Sequence, residues 1–229
     1  MKNLLRELCC CSCLAALFLL ASCNNAKNDA ARVTQRLKVL ILGNSITYSA
    51  PQEDIGWYGA WGMAASSEKT DFVHVLREYL EKDGRYDPVS IVSHNINGWE
   101  RTFRMDSLRF ADIYTQDYDV VILRLGENVD QDALSFENYE SALTGLIDGV
   151  KGRAKVIITG TVWQSHQAKD AIQEKVAGAH RYTYVSFDDM KTEDSYFAYG
   201  LYEHPGVAAH PSDRGMARIA GELYRRIAE

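Results

Sequence analysis

Four residues of this chain have the types and places to do chemistry together: Ser45, Gly98, Asn128 and His210. Ser45 ends the segment Gly43-Asn44-Ser45, directly after the apolar run Leu37–Leu42. Gly98 stands in Asn97-Gly98-Trp99, Asn128 in Gly126-Glu127-Asn128, and His210 in the run HPSDRGM near the C-terminus. A serine hydroxyl, an imidazole, a backbone N–H and a side-chain amide are the parts that acyl transfer uses: a nucleophile, a base for its proton, and donors for the oxyanion. Gly-Asn-Ser is equally ordinary turn chemistry, in which the serine caps a following helix. His210 precedes the expected helix cap Ser212. The positive end of a helix there disfavours the protonated ring and keeps it available as a base near pH 7. The plain alternative is a loop histidine bonded to backbone.

The elements that must position these residues follow from pattern. Leu37–Leu42, Val89–Ser93, Val120–Leu123, Val156–Thr159 and Tyr182–Phe187 read as strands, the first of them buried on both faces. Helical spacing places Phe72, Leu76 and Leu80 on one face of Asp71–Lys82, and Tyr139, Leu143, Leu146, Ile147 and Val150 on one face of Ser135–Val150. Ser212 caps a last helix with the stripe Met216, Ile219, Ala220, Leu223 and Ile227. A weaker pattern covers Met105–Ile113. Such alternation predicts an α/β fold, a three-layer α/β/α flavodoxin-like sandwich on a five-stranded parallel sheet. The strand ends then bring the four residues to the carboxyl edge, where open α/β sheets keep their ligand crevice.

These four blocks, in this order and at these strand ends, resemble the SGNH hydrolases, also called the GDSL family of esterases and lipases. The resemblance runs from Leu37 to the final helix. It implies Ser45 as nucleophile, His210 as base, and an oxyanion hole formed by the N–H groups of Ser45 and Gly98 with the Asn128 amide. The chain departs from the family pattern in three places. The first block reads GNS where GDS is usual, and Val129 stands where an acidic residue normally follows the asparagine. The aspartate expected three residues before the histidine is Val207. Glu203, Asp213 and a backbone carbonyl remain candidates to orient the ring, and loss of the acid slows turnover.

Compartment and class come from composition. Lys2 and Arg6, an apolar stretch from Leu14 to Ala21, and Leu20-Ala21-Ser22-Cys23 form a secretory leader, residues 1–22, too short to span a membrane. Its end resembles the lipobox of bacterial lipoproteins, which implies lipidation of Cys23; cleavage near Ser22 without lipid is the alternative. Residues 23–36 are polar and read as a tether, and 37–229 as one hydrolase domain. The expected address is the cell envelope, anchored by lipid to the outer membrane or facing the periplasm. All five cysteines lie in positions 9–23, so the domain has no disulfide, thiol nucleophile or Cys-ligated zinc. The chain is acidic, with net charge −6, and shows no basic patch for nucleic acid. His166, His180 and His204 lack ligand spacing, and His74 and His94 read as structural, so no metal and no cofactor are expected.

All four tryptophans (Trp57, Trp61, Trp99, Trp163) follow strand ends, with Tyr48, Tyr58 and Tyr199. Grouped round a cleft they suit sugar faces or acyl chains; in the alternative the insertion Ile55–Ser67 folds into a lid or plug, with Trp57 and Trp61 packed inward. The expected partner is an acylated small molecule or glycan, and the expected activity is hydrolysis of acyl esters, acetyl above all, on carbohydrates. A glycan-binding lipoprotein without turnover and an acyltransferase are the alternatives on the same fold. A nucleotide-binding domain fits less well, because no Gly-rich phosphate cradle follows the first strand.

Overall fold

Strand β1 (Gln35–Gly43) shows how one run of apolar residues builds two cores. Val39 and Ile41 point into one apolar cluster, Leu40 and Leu42 into another, as the two-residue period of a strand requires. In β3 (Val120–Arg124) Val120 and Ile122 face the first cluster, Val121 and Leu123 the second. β4 (Lys155–Thr159) divides Ile157 from Val156 and Ile158 in the same way. With β2 (Tyr86–Asn95) and β5 (Thr183–Val185) they form one parallel sheet in the order β2-β1-β3-β4-β5. That order is the flavodoxin-like one, with its topological switch beside β1. The computed structural model describes residues 34–229 apart from 107 and 131–135. The leader, Cys23 and most of the expected tether lie outside the described residues, and β1 begins at Gln35, inside the segment read as tether.

Helices α1 (Phe72–Asp83) and α6 (Asp213–Ala228) cover the first face through Phe72, Leu76 and Leu80 and through Met216, Ile219, Leu223 and Ile227. α3 (Phe136–Val150) and α4 (Gln167–His180) cover the second through Tyr139, Leu143, Ile147, Ile172 and Val176. The sheet is thus the middle layer of an α/β/α sandwich. Each buried aliphatic side chain in these faces contributes about 2 kcal/mol of transfer free energy, so burial dominates the sheet's stability. Two short helices complete the fold: α2 (Asn97–Thr102) after β2, and α5 (Pro205–Ala208) before α6. Among the described residues no helix is long and apolar enough to cross a membrane.

One sequence expectation needs correction, and one helix went unread. Met105–Ile113 is not a helix. The Asp106 carboxylate takes the N–H groups of Leu108 (3.2 Å) and Arg109 (3.1 Å), a local bond that competes with helix, and only a 3-10 turn at Ala111–Tyr114 follows. Conversely α4 has no apolar period to read. Its inward face carries Lys169, Asp170 and Gln173 beside Ile172, Val176 and Ala177, and all six are buried.

Candidate active site

Gly43 closes β1, and a Cβ there would overlap the Thr47 hydroxyl. Close approach, with no special φ, is therefore what requires glycine. The chain then makes one helical turn: the Asn44 carbonyl accepts from Thr47 N (2.9 Å) and Tyr48 N (3.1 Å), and the Asn44 side-chain oxygen accepts from Ile46 N (3.2 Å). Ser45 is the first residue of that turn. Its N–H meets no acceptor among the described residues, as expected of a first-turn donor.

His210 reaches Ser45 from the far end of the chain. Ser45 Oγ and His210 Nε2 are 2.8 Å apart, and His210 Nδ1 is 2.7 Å from the Gly206 carbonyl. A carbonyl oxygen can only accept, so Nδ1 carries the proton. In the neutral ring Nε2 is then the acceptor, and the Ser45 hydroxyl donates to it. Burial holds His210 below the usual histidine range, opposed in part by the Gly206 hydrogen bond. The residue is held through its backbone as well as its ring. His210 N donates to the Val207 carbonyl (3.0 Å), Ala198 N donates to the His210 carbonyl (3.0 Å), and the Trp163 ring meets the imidazole edge-on at 5.7 Å. Trp163 is itself fixed by its Nε1–H on the Ala209 carbonyl (2.9 Å).

Of the candidates to orient this ring, the backbone carbonyl occupies the place. Asp213 is engaged elsewhere, accepting from Ser66 N (2.8 Å) and Ser66 Oγ (2.6 Å). Glu203 is exposed and makes no bond to the imidazole. Val207 is wholly buried in an apolar cluster with Trp57, Met63, Ala64 and Ala198.

On the other side of Ser45 the β2–α2 junction comes close, because Ile96 N donates to the Gly43 carbonyl (2.7 Å) and Asn95 Nδ2 to the Tyr48 carbonyl (2.7 Å). Gly98, in the first turn of α2, has an N–H without an acceptor among the described residues, and a Cβ added there would meet nothing within 4 Å. Asn128 follows Gly126, whose φ of +123° suits glycine alone. Asn128 Nδ2 donates to Glu100 Oε2 (2.7 Å), and Arg101 Nη2 donates to Asn128 Oδ1 (3.3 Å).

Three charged residues that sequence reasoning gave no role lie behind these donors. Glu100 Oε1 accepts from Gly126 N (2.6 Å), Asn44 Nδ2 (3.3 Å) and Asn128 N (3.4 Å). Glu127 accepts from Arg124 Nη1 (2.6 Å), Asn44 Nδ2 (2.7 Å) and Val162 N (3.3 Å). Glu100, Arg124 and Glu127 are all buried. Burial, with the Glu127 charge second, pushes Glu100 up to about 6. Burial also pushes Glu127 upward, but the Arg124 charge and hydrogen bonds outweigh it and hold Glu127 below the usual range. One signal was present in the sequence: Arg124 ends an otherwise apolar buried strand, and a charge in that setting needs a partner. Glu100 gave none.

The aromatic residues divide. Trp57 is buried against Trp61 (5.7 Å) and Tyr202 (6.1 Å), as the plug reading of Ile55–Ser67 had it, and Trp99, which that reading did not cover, is buried against Phe103 (5.6 Å). Tyr48, Tyr58 and Tyr199 are exposed. Among the described residues no group of three His, Cys, Asp or Glu side chains is placed to hold a metal ion.

No family model matches the chain, and no curated protein does. Solved structures do. A lipolytic protein of the G-D-S-L family from Desulfitobacterium hafniense superposes with a TM-score of 0.57 at 14% identity, covering 83% of this chain and 99% of that one. The psychrotrophic esterase EstA from Pseudoalteromonas sp. gives 0.58 at 13% identity, over 83% and 96%. A two-domain esterase active on acetylated mannans gives 0.57 at 17% identity, over 87% of this chain and 50% of that one, so this chain spans about half of that enzyme. At these identities the likeness is one of fold: the chain shares the α/β architecture of these structures.

Proposed function

We propose that this protein is a serine esterase that releases acyl groups, acetyl above all, from carbohydrates. The observation that carries the reading is the 2.8 Å contact between Ser45 Oγ and His210 Nε2, on a ring whose other nitrogen is pinned as donor. In the reaction His210 Nε2 takes the Ser45 proton as Oγ bonds to the acyl carbonyl carbon. The N–H groups of Ser45 and Gly98 and the second amide proton of Asn128 receive the oxyanion. Collapse expels the sugar alkoxide, which takes the proton from Nε2. Water, deprotonated by the same nitrogen, then cleaves the acyl-enzyme and frees the acid and Ser45.

The Gly206 carbonyl performs half of what a carboxylate does in a triad. It fixes the tautomer and the ring plane, but supplies no counter-charge to the imidazolium. Turnover is accordingly expected to be modest. The acetyl-glycan assignment draws on the mannan esterase among the structural neighbours and on the exposed rings of Tyr48, Tyr58 and Tyr199. Lipidation at Cys23 and an address in the cell envelope belong to the same reading; absence of an acylated Cys23 peptide from the membrane fraction would remove them.

The test is hydrolysis of p-nitrophenyl acetate by the full-length protein beside its Ser45→Ala variant. We expect the variant to fold and to lose turnover by about a thousandfold or more. Undiminished hydrolysis refutes the nucleophile. Acetylated oligosaccharides left intact while longer acyl esters are cleaved would refute the glycan assignment. Glycan binding with no serine-dependent turnover would select a binding protein.

A further inference from the structure

The amide of Asn128 is clamped at both ends by charge. Its nitrogen donates to a buried carboxylate, Glu100 Oε2 at 2.7 Å, and its oxygen accepts from the Arg101 guanidinium at 3.3 Å. An anion cannot donate and a guanidinium cannot accept, so this pair of partners leaves the amide one orientation. Nδ2 carries two protons. Glu100 uses one, and the other meets no acceptor among the described residues. We infer that Glu100 is a positioning residue of the oxyanion hole, which sets the Asn128 amide so that its second N–H is presented to the developing oxyanion. The inference rests on the esterase reading for what that proton meets, and on geometry alone for how it is held.

Glu100 is suited to this in ways a neutral side chain is not. Both its oxygens accept, Oε2 from Asn128 Nδ2 and Oε1 from Gly126 N, Asn44 Nδ2 and Asn128 N. A glutamine there keeps one acceptor. If that oxygen stays on the backbone N–H of Gly126, the new NH2 faces Nδ2 donor to donor. The relief available is a flip of the Asn128 amide, which turns its carbonyl oxygen toward the cleft. The flipped amide would repel an oxyanion as well as failing to bind it. Arg101 is exposed and holds only the outer end, so its part is smaller. The charged and titratable groups that act on Glu100 are Glu127 from the loop after β3, Tyr139 from α3 and Lys169 from α4; Arg124 bonds to Glu127 and Arg101 to the Asn128 amide.

The test is Glu100→Gln in the full-length protein, with kcat and KM measured separately and the Asn128 side-chain amide followed by 1H–15N NMR. Removing one oxyanion donor lowers kcat by about 100-fold, and the same fall with KM unchanged is expected here, because the interaction exists only in the transition state. In the unaltered protein one Asn128 amide proton should lie downfield at pH 8 and move as the pH is lowered to 5; in the variant it should do neither. Arg101→Ala, at an exposed site that does not threaten folding, should lower kcat about threefold, the worth of one weak hydrogen bond. Serine-dependent turnover with kcat of Glu100→Gln within twofold of the parent overturns the inference and leaves the esterase standing. If the parent has no turnover, the esterase reading falls. The amide resonance then decides: insensitivity to pH and to Glu100→Gln overturns the inference, and the expected shifts sustain it.

Discussion

The two sides of Ser45 are built by opposite means. His210 lies among apolar and backbone groups: the Gly206 carbonyl on Nδ1, the Trp163 ring edge, and Val207 packed below with Trp57 and Met63. Among the described residues no carboxylate bonds to it. On the other side, Asn128, Asn44 and Gly126 are held by Glu100 and Glu127, two buried carboxylates, and Arg124 balances one of them. Neutral surroundings keep the resting imidazole unprotonated, which a base requires, but leave the imidazolium without a counter-charge. Fixed charge is concentrated instead behind the donors that, in the proposed reaction, must already point at the oxyanion when it forms. This difference also bears on Asn44. A GDS-type aspartate at that place would set a third carboxylate against Glu100 and Glu127; an amide donates to both.

The sharpest way to break the comparison is therefore Asn44→Asp. It removes the Nδ2 donor shared by Glu100 (3.3 Å) and Glu127 (2.7 Å) and adds a buried negative charge with no cation of its own. Disturbing a buried ionic cluster in this way costs about 3–5 kcal/mol. A fall in thermal midpoint and in turnover is expected, with partial recovery of the thermal midpoint, but not of turnover, when Glu100→Gln is added. A fully stable, fully active Asn44→Asp protein would mean that the two carboxylates do not dictate the residue at position 44.

Val207→Asp probes the other side. It restores the residue type that the family places three positions before the histidine, but puts it among Trp57, Met63, Ala64 and Ala198. A carboxylate there has no partner, and we expect a stability loss of about 3 kcal/mol with no gain in kcat. The readouts are a urea midpoint and steady-state rates. Raised kcat would show that the base side accepts a counter-charge and that the contrast between the two sides is an accident of this sequence.

How far the sequence foretold this site follows the same division. Ser45, Gly98, Asn128 and His210 lie at strand ends, where a change from apolar run to turn residues marks them, and the parallel order β2-β1-β3-β4-β5 carries them to one edge. The sheet was legible because its strands alternate between two cores. What was not legible depends on partners far apart in the chain. Glu100 is, in the sequence, only one more charge after Asn97-Gly98-Trp99 until Gly126 and Asn128 are set beside it. Lys169, Asp170 and Gln173 hid α4 for the same reason: a buried polar face is satisfied by tertiary contacts that no local period reveals, such as Gln173 Nε2 on the Leu125 carbonyl (2.6 Å) and Asp170 Oδ1 on Thr161 N (2.7 Å). The Gly206 carbonyl on His210 is a backbone group, and side-chain types say nothing about it.

The smallest effect separates the two buried carboxylates from each other. Glu100 titrates at about 6 in the folded protein against 4.5 for an ordinary glutamate, whereas Glu127, paired with Arg124, is shifted the other way. Between those two values the folded protein binds a proton at Glu100 that the unfolded chain does not, so its contribution to stability rises as pH falls through the window. The amount is about 2 kcal/mol for a shift of this size. His210, held low by burial, works against it below pH 6.5, and Glu127 does so at lower pH, but both are present in Glu100→Gln as well. The difference in urea stability between parent and Glu100→Gln therefore isolates Glu100. It should move in the parent's favour from pH 7 to pH 5 by most of that amount. A flat difference would mean that the Glu100 charge is balanced as fully as that of Glu127, and the oxyanion side would then carry no stored electrostatic cost for holding its amide.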